Sequence, residues 1–493
     1  MPFDQAQLRA IRHRDGPMLV LAGPGSGKTT VIVNRIQFLT GECRVPPEQI
    51  LVITFTKAAA LEMQKRYEEK AHGALPVFGT FHSIFFSMLR RHCGFSAKSL
   101  IQTKDQYAVL KKILQDPQLP MIYTDDLAEL LLAEISRTKN KGGITDGLKA
   151  VENEGDSACA PELFPIIYRR YNTMLRNMKL LDFDDMLLLC RELFSEHPDC
   201  LLEEQERFRY LLVDEFQDIN ALQYEILRML AGTRRNLFIV GDDDQSIYGF
   251  RGSEPRIMLG FEKDYPGCKT VLLSKNYRSG AAIVNAASRL IGHNRMRFRK
   301  QISAGRELAA FVKIEICETE REELLRVKEL FLQYRRQGIA DGEIAVLYRT
   351  NAEVAALKQF LKQEHISFSE AGKKAAEKTA GTEKLPAARV PEIAATADGK
   401  MLAGARQNCL QLATFHSSKG LEFTVVMILA ASEGITPHRK SDTGDALEEE
   451  RRMFYVAVTR AKQYLHILNT KSRYNKPRKL SRFAEEMQGK SRV

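Results

Sequence analysis

A glycine-rich segment near the start of the chain has the composition of a phosphate-binding loop. It lies between an apolar run and a helical pattern and consists of Ala22, Gly23, Pro24, Gly25, Ser26, Gly27, Lys28 and Thr29, with Thr30 next. Glycines let backbone N–H groups converge on phosphate oxygens, Lys28 can pair with the β- and γ-phosphates, and the Thr29 hydroxyl can ligate Mg²⁺. The segment therefore predicts a nucleotide site, although its first residue is Ala22 where the usual pattern has glycine.

Two adjacent carboxylates, Asp214 and Glu215, follow a second apolar run. At the end of a buried strand, one carboxylate can hold the Mg²⁺ shell while the other orients and deprotonates a water molecule. An isolated acidic pair would more often be an ordinary helix start. Because a phosphate loop accompanies this pair, we predict that Asp214 is a metal ligand and that Glu215 is a general base.

The elements that must position these residues are short apolar runs separated by helical patterns, as in buried parallel sheets. The first group of predicted strands covers residues 18–22, 50–55, 210–213, 237–240 and 271–273. The second group covers residues 311–316, 344–348, 410–414, 425–429 and 464–468. This alternation predicts two α/β lobes.

Two stretches interrupt the lobes. Residues 91–197 show helical spacing without strand signals, which predicts a helical insertion. Residues 369–407 contain no aromatic side chain and have little apolar surface to bury, so we interpret them as a flexible linker. The predicted domains are 1–90 with 198–275, the insertion 91–197, and 276–368 with 408–493.

Composition limits the class of protein. Seventy-three Lys and Arg against 62 Asp and Glu give a net charge of +11, which favours a polyanionic partner such as nucleic acid. The basic run at residues 471–493 fits either such a partner or a solvated tail. The eight cysteines have no CxxC or zinc-like spacing, and no apolar run reaches the roughly 18 residues of a membrane helix. We therefore expect a cytoplasmic protein without a membrane segment.

Further motifs extend over most of the chain. They begin, in order, at Phe3, Thr54, Gly79, Asp214, Gly241, Asn276, Thr414 and Tyr455. With the phosphate loop, this ordered set resembles the superfamily 1 DNA helicases of the UvrD/Rep/PcrA type. The resemblance implies an α/β fold of two RecA-like P-loop NTPase lobes with parallel sheets and a helical insertion in the first lobe. It also implies ATP and Mg²⁺ as cofactors.

The resemblance assigns roles at the nucleotide. Gln7 matches a residue that reads the adenine edge, Tyr277 one that stacks on the base, and Glu422 one that contacts the ribose. Arg278 and Arg460 match residues that reach the γ-phosphate, where a planar guanidinium stabilises charge on the phosphoryl oxygens. The catalytic set that the resemblance implies is Lys28, Glu215, Gln245, Arg278 and Arg460.

The resemblance also implies a single-stranded DNA path made of phosphate contacts and stacking aromatics. The matching positions are Phe55, Thr80, His82, Tyr248, Phe250, Arg251 and His416. Each aromatic could instead fill a core, and Phe55, at the end of an apolar run, is the strongest case for that alternative.

Three departures from the family pattern stand out. Phe250 occupies the position of the usual Trp, and the chain contains no Trp. Lys57 and Ala58 replace the usual Asn-Lys, so the phosphate contact of that motif is displaced or lost. The large subdomain normally inserted in the second lobe is missing, and the stretch 369–407 takes its place.

The sequence therefore predicts an ATP-dependent DNA helicase that translocates along single-stranded DNA, 3′ to 5′ by the resemblance, in repair or replication. Expected partners are single-stranded DNA, tailed duplex DNA, and repair or replication proteins. Two alternatives stay open: a translocase that strips proteins or serves a repair complex with little unwinding of its own, and a DNA-binding module whose ATPase is regulatory or dead.

Overall fold

The computed structural model describes residues 3–71, 73–117, 119, 121–143, 159–370, 409–441, 443–473 and 476–489. They form two compact units, one from Met1–Ala22 and Gly27–Leu273, the other from Gly23–Ser26 and Ser274–Val493. Each unit contains a six-stranded sheet. All strand pairs within these two sheets are parallel, which confirms the predicted fold class.

The sheet of the first unit has the strand order β3-β2-β4-β5-β1-β6. Its strands are β1 (Met18–Ala22), β2 (Ile50–Thr54), β3 (Val77–Thr80), β4 (Tyr210–Val213), β5 (Leu237–Gly241) and β6 (Lys269–Leu273). Every residue of β1, β2, β4 and β5 is buried, as expected for parallel strands covered on both faces. Val20, Val52 and Leu212 belong to one continuous core beneath the helices.

Helices of the first unit begin at recognisable caps. Thr56, Thr80 and Thr124 each accept a hydrogen bond from a backbone N–H of the first helical turn. The helices are α1 (Gln5–Ile11), α2 (Lys28–Gln37), α3 (Lys57–Glu68), α4 (Phe81–Cys93), α5 (Thr103–Leu114), α6 (Asp125–Asn140), α7 (Phe164–Asn177), α8 (Asp185–Glu196), α9 (Pro198–Arg207), α10 (Ala221–Ala231) and α11 (Pro255–Asp264). Helices α5, α6 and α7 share a core of their own around Leu110 and Leu131.

The second unit has the strand order β11-β12-β10-β13-β14-β9. Its strands are β7 (Lys275–Asn276), β8 (Ser303–Ala304), β9 (Phe311–Cys317), β10 (Ile344–Tyr348), β11 (Phe368–Glu370), β12 (Leu410–Thr414), β13 (Phe423–Ile428), β14 (Ala461–Thr470), β15 (Ser472–Arg473) and β16 (Lys476–Pro477). Its helices are α12 (Ala281–Ile291), α13 (Glu320–Arg336), α14 (Asn351–Gln363), α15 (Gly444–Val458) and α16 (Arg482–Met487). Val346, Leu412 and Val425 lie at the centre of this core.

The structure corrects the strand prediction at two places in the six-stranded sheets, and it adds two short strand pairs, β7 with β8 and β15 with β16, that the sequence did not predict. The sequence did not predict β3 or β11, and β11 includes Ser369 and Glu370, with which the predicted linker begins. The rest of that linker, 371–407, lies outside the described residues. The predicted boundary at residue 91 falls within α4. Residues 91–197 belong to the same compact unit as the first sheet, so a separate inserted domain stays a prediction.

None of the described helices combines the length and the apolar composition that a bilayer crossing requires.

Candidate nucleotide and nucleic-acid sites

The candidate catalytic residues of the first unit lie at the carboxyl ends of three neighbouring strands. Lys28 begins the helix after β1, Asp214 directly follows β4, and Gln245 lies in the turn after β5. Strands β4, β5 and β1 are adjacent in the sheet, and all run in one direction. Parallel strands place the loops that follow them at one edge, where ligands of open α/β sheets bind. The topology therefore brings these three residues to the same edge.

The N-terminus of α2 is formed by a glycine that other residues would not replace easily. Gly27 has φ 85° and precedes Lys28, the first helical residue. A Cβ at Gly27 would lie 3.1 Å from Nε2 of Gln7, so the Gln7 amide borders the end of the phosphate loop. Gln7 is only 6% exposed and exchanges hydrogen bonds with Asp4 at the start of α1. The structure thus brings Gln7 to the end of the phosphate loop, and its contact with adenine stays a prediction.

A continuous series of polar contacts connects Lys28 with Gln245. Lys28 Nζ lies 3.3 Å from Glu215 Oε1. Gln217 Nε2 donates to Glu215 Oε2 at 2.5 Å, and Gln217 Oε1 accepts from the Asp242 amide at 2.9 Å. Gln245 Nε2 then donates to Asp242 Oδ2 at 2.6 Å. These contacts hold Glu215, the predicted base, between Lys28, the predicted phosphate-binding residue, and Gln245, another member of the implied catalytic set.

Gln217 is a positioning residue that sequence reasoning missed. It is fully buried, and its amide holds both the Glu215 carboxylate and the backbone after β5. A Cβ at Gly241 would lie 2.6 Å from Gln217 Oε1, so glycine is required there. Glu215 itself has φ 53°, which is uncommon for a residue other than glycine. The sequence offered one signal for Gln217. It is an amide two residues after the predicted base, and a glycine ends the next strand.

The predicted donor set for a metal ion consists of the Thr29 hydroxyl and the Asp214 carboxylate. Hydroxyl and carboxylate oxygens are ligands that Mg²⁺ prefers, so these side chains fit the predicted ion. Asp214 is 5% exposed, and its amide donates to Ile53 O at 2.9 Å, which holds it at the strand end. Asp242, Asp243 and Asp244 form a further buried acidic cluster. Asp242 already accepts the Gln245 amide, so this cluster orders the turn after β5.

In the second unit, Arg278 is held by a carboxylate. Arg278 Nε donates to Glu422 Oε2 at 2.7 Å, and Lys462 Nζ lies 3.6 Å from Glu422 Oε1. Partial burial opposes the charge on Glu422, but Arg278 and Lys462 together hold the pKa of Glu422 below its ordinary value. Glu422, predicted to contact the ribose, therefore stays ionised and fixes the direction of the Arg278 guanidinium.

Tyr277 and Arg460 are also fixed within the second unit. The Tyr277 amide donates to Gly25 O at 2.9 Å, and its ring packs so closely on Gly305 that a Cβ there would lie 2.8 Å from it. Arg460 is 2% exposed and donates to Val456 O at 2.8 Å and to Leu421 O at 3.2 Å. Contact of Arg460 with a γ-phosphate stays a prediction.

Three of the predicted DNA-binding aromatics form a row in the first unit. The rings of Phe55 and Tyr248 are parallel within 5°, with centroids 6.1 Å apart. Tyr248 contacts Phe250 at 6.0 Å between centroids, and Phe55 contacts Phe81 at 6.3 Å. Phe250 is 57% exposed, and Phe55 is half-buried. The row extends from a core contact to an exposed ring, which suits a surface on which bases stack.

A second aromatic pair lies beside α4. Thr80 caps this helix through Ser83, and the His82 ring stacks on Phe183 with centroids 4.0 Å apart. Burial lowers the pKa of His82 to about 4, so its imidazole is neutral near pH 7. Phe183 is 61% exposed and was not predicted. An apolar residue within an acidic stretch at a helix start was the only sequence signal for it.

The residues on both sides of Phe183 are held by ion pairs and a hydrogen bond. Lys139 is fully buried, and its Nζ lies 2.7 Å from Asp182 Oδ2 and 2.6 Å from Asp185 Oδ1. Asn140 donates to Asp184 Oδ1 at 2.8 Å. Because these contacts hold the residues on both sides of Phe183, the backbone fixes the point from which its ring projects.

The other two predicted DNA-binding residues, Arg251 and His416, lie in turns. Arg251 ends the short turn Gly249–Arg251 that follows Tyr248. His416 lies in the second unit, in the turn after β12, where Thr414 and Ser417 exchange hydrogen bonds of 2.9 and 3.1 Å. The described contacts thus join Phe55, Tyr248 and Phe250 in one group and His82 with Phe183 in another.

Comparisons with known proteins agree with this geometry. The model of the UvrD/REP helicase N-terminal domain matches residues 3–266, and that of the UvrD-like helicase C-terminal domain matches residues 271–376 and 377–472.

Individual relatives were also found. YjcD of Bacillus subtilis (strain 168) is 31% identical over 627 aligned positions, which cover 99% of this chain and 81% of the relative. The ATP-dependent DNA helicase PcrA of Staphylococcus epidermidis (strain RP62A) is 35% identical over 376 positions, covering 75% of this chain and 51% of that protein. PcrA of Leuconostoc citreum is 36% identical, covering 75% of this chain and 50% of that protein. The matches to PcrA thus span about half of each relative.

Proposed function

The chain belongs to the UvrD/REP helicase family, whose PcrA members are ATP-dependent DNA helicases, and we propose that it hydrolyses ATP to move along single-stranded DNA. The observation that carries the proposal is the series of contacts Lys28–Glu215–Gln217–Asp242–Gln245 at the carboxyl ends of β1, β4 and β5. These contacts support the proposal because Lys28, Glu215 and Gln245, the side chains that we propose to bind phosphate, to act as base and to sense the phosphate, lie at one sheet edge.

Three residues of this series, Lys28, Glu215 and Gln217, have a proposed part in hydrolysis. Lys28 is bonded to Glu215 until a nucleotide phosphate competes for its ammonium, which frees the carboxylate to accept a proton from the attacking water. Gln217 holds Glu215 in place during this exchange. Thr29 and Asp214 would hold Mg²⁺, which when bound neutralises phosphate charge. Arg278 and Arg460 are proposed to stabilise charge on the γ-phosphate.

The exposed rings support the DNA part of the proposal. Phe250 and Phe183 each present more than half of their surface to solvent, and each is backed by another ring, Tyr248 or His82. Stacking on such rings contributes about 1–3 kcal/mol per base and accepts any base, as movement along a strand requires. Arg251, Thr80 and His416 are proposed further contacts along the strand.

Direction and biological role rest on family membership alone. We propose 3′ to 5′ movement, unwinding of tailed duplexes, and work in repair or replication with protein partners of those pathways. The alternative is a translocase with little unwinding of its own. It is favoured by the comparison with YjcD, whose 627 aligned positions exceed the 493 residues of this chain, so that relative carries residues without a counterpart here.

The decisive experiment measures ATP hydrolysis with and without single-stranded DNA, followed by unwinding of a duplex with a 3′ or a 5′ tail. We expect strong stimulation by DNA and unwinding of the 3′-tailed duplex. Stimulation without unwinding would favour the translocase, and hydrolysis that ignores DNA would refute the proposal.

Matched variants assign the chemistry to the phosphate loop. Lys28→Ala should abolish DNA-stimulated hydrolysis but retain DNA binding without nucleotide, because the ammonium acts on phosphate rather than on the strand. Glu215→Gln should bind ATP without turnover. Lys65→Ala, a change of the same type on the exposed face of α3, is the control and should behave as wild type. Equal loss of folding in both site variants, by circular dichroism, would show that these residues are structural.

A further inference from the structure

Strand β9 forms one edge of the second sheet and has a free side. It pairs with β14, and among the described residues no strand pairs with its other side. Cys317 O accepts from the amide of Lys471, the residue after β14, at 2.9 Å. Backbone groups alternate along a strand, so Val312, Ile314 and Ile316 present their N–H and C=O groups away from β14. Three residues are therefore available to another strand.

The side chains of this edge are more apolar than an exposed edge usually is. Phe311 is 40% exposed, and Ile316 is 55% exposed. Proteins normally protect such edges with short strands, charged side chains, proline or a covering element, because unpaired edges template association. Strand β9 has seven residues and no proline, and its exposed charge is Lys313, so pairing at this edge requires an opposite charge facing Lys313.

The sequence of β9 is complementary to itself. It reads FVKIEIC, with Lys313 and Glu315 on either side of the central Ile314. The two charged side chains lie on one face, with Lys313 Nζ 3.3 Å from Glu315 Oε2. In an antiparallel pair centred on Ile314, Lys313 of each copy lies opposite Glu315 of the second copy. Opposite charges in facing positions stabilise a strand pair.

The apolar and backbone groups match in the same register. Val312 lies opposite Ile316 of the second copy, and Phe311 lies opposite Cys317. The outward-facing residues 312, 314 and 316 become the hydrogen-bonded positions, which gives about six N–H···O bonds across the two-fold axis. A shift by one residue would lose these bonds and place Lys313 or Glu315 opposite an isoleucine. A shift by two residues would place Lys313 opposite Lys313 or Glu315 opposite Glu315.

We propose that β9 is a self-association edge through which two copies of this chain pair antiparallel about Ile314, joining their second sheets. The occupant is a second copy rather than an unrelated strand because charge, apolar side chains and backbone groups agree in one two-fold register. The inference does not depend on helicase activity.

Sedimentation velocity over a range of concentrations tests the proposal on the full chain. Wild type should show a monomer–dimer equilibrium. Val312→Pro removes an outward N–H that the bond pattern with β14 does not use, so the fold should persist while the dimer is lost. Lys313→Glu places a glutamate opposite Glu315 in both symmetry-related pairs. It should raise the dimer dissociation constant roughly tenfold. Lys362→Glu, the same charge change at an exposed site on α14, should leave association unchanged.

Cross-linking gives a second measurement, which remains valid if Val312→Pro fails to fold. Ile314→Cys places two cysteines in a hydrogen-bonded antiparallel pair, where Cα atoms are about 5.5 Å apart and a disulfide can form. Lys313→Cys is out of register with its copy and should not cross-link. A monomer at all concentrations would overturn the proposal. So would a dimer that persists in Lys313→Glu together with the absence of a cross-link in Ile314→Cys.

Discussion

His82 lies where its imidazole has to stay neutral. Burial lowers the pKa of His82 to about 4, whereas the unfolded chain titrates near 6.5. Between these values the unfolded state binds the proton and the folded state does not, so stability is complete above pH 6.5 and is lost as the pH falls towards 4. We expect a change from pH 7 to pH 5 to cost about 2 kcal/mol at this residue.

His82→Phe isolates this contribution because it retains stacking on Phe183 without a titrating group. We expect urea denaturation of the variant to be less sensitive to this pH change than that of wild type, by about 2 kcal/mol. The imidazole proton signal that the variant lacks should titrate near pH 4. Equal pH sensitivity of the two proteins, or titration near 6.5, would show that the ring is open to water.

Phe183 should bind single-stranded DNA. Its ring is more exposed than that of Phe250, and it is held face to face with His82. Phe183→Ala should therefore weaken DNA binding by about 1–3 kcal/mol, as should Phe250→Ala, with little change in basal ATP hydrolysis. Fluorescence anisotropy with a labelled oligonucleotide measures the change.

The control for Phe183 is Met178→Ala, which removes a comparably exposed apolar side chain, 51% exposed, just after α7. It should bind DNA as wild type does. If both variants lose affinity equally, or if Phe183→Ala loses none, the stacking role is wrong.

At the level of elements, the sequence predicted the central strands and missed two at the edges. Strands β1, β2, β4 and β5 are buried throughout, so their apolar runs are continuous and visible. Strands β3 and β11 each end a sheet, are short, and are mostly half-buried, so they carry no such run. The other two edge strands, β6 and β9, were predicted because they keep apolar residues at neighbouring or alternating positions.

The same distinction applies to the candidate site. Lys28, Asp214 and Glu215 could be proposed from the sequence because a phosphate loop and an acidic pair after an apolar run together indicate nucleotide chemistry. Gln245 could be proposed because the motif that contains it occurs in the family's order. Gln217 and Phe183 could not, because their roles arise from contacts across the fold: Gln217 with the backbone after β5, and Phe183 with His82 on α4. Residues that position others depend on tertiary contacts more than on spacing.

The pair of Lys139 with Asp182 and Asp185 should decide the stability of the helices that carry Phe183. Burial opposes the charge on Lys139, but the two carboxylates raise its pKa, while burial and Asp182 raise the pKa of Asp185 to about 6. Lys139→Met leaves the buried Asp182 carboxylate and the half-buried Asp185 carboxylate without this cation. We expect a loss of about 3–5 kcal/mol in unfolding free energy.

Limited proteolysis should locate this loss, with faster cleavage between α6 and α8 than in wild type. The control is Lys141→Met, the same change two residues later at an exposed position. It should neither lower stability nor expose new cleavage sites. Equal stability of Lys139→Met and wild type would mean that the attraction between Lys139 and the two carboxylates only offsets the free-energy cost of burying their charges.

At the level of the whole molecule, the connection between β11 and β12 has to span a fixed distance. These strands are parallel neighbours, with Phe368 beside Leu410 and Glu370 beside Leu412. The connection must return from the end of one strand to the start of the next, about 10 Å given a rise of about 3.3 Å per residue and about 4.8 Å between strands. Any connection that spans this distance satisfies the sheet.

We therefore expect the sequence of the segment 371–408 to be dispensable for DNA-stimulated ATP hydrolysis. A Gly/Ser replacement of about 12 residues has a mean span near 20 Å, which exceeds the required distance. Melting temperature and stimulated turnover should stay at wild-type values. A direct join of Glu370 to Cys409 is the matched control: a connection this short cannot return to the start of β12, so it should destabilise the second sheet. If the Gly/Ser variant keeps its melting temperature but loses stimulation by DNA, the segment contributes to DNA or partner binding, contrary to our expectation.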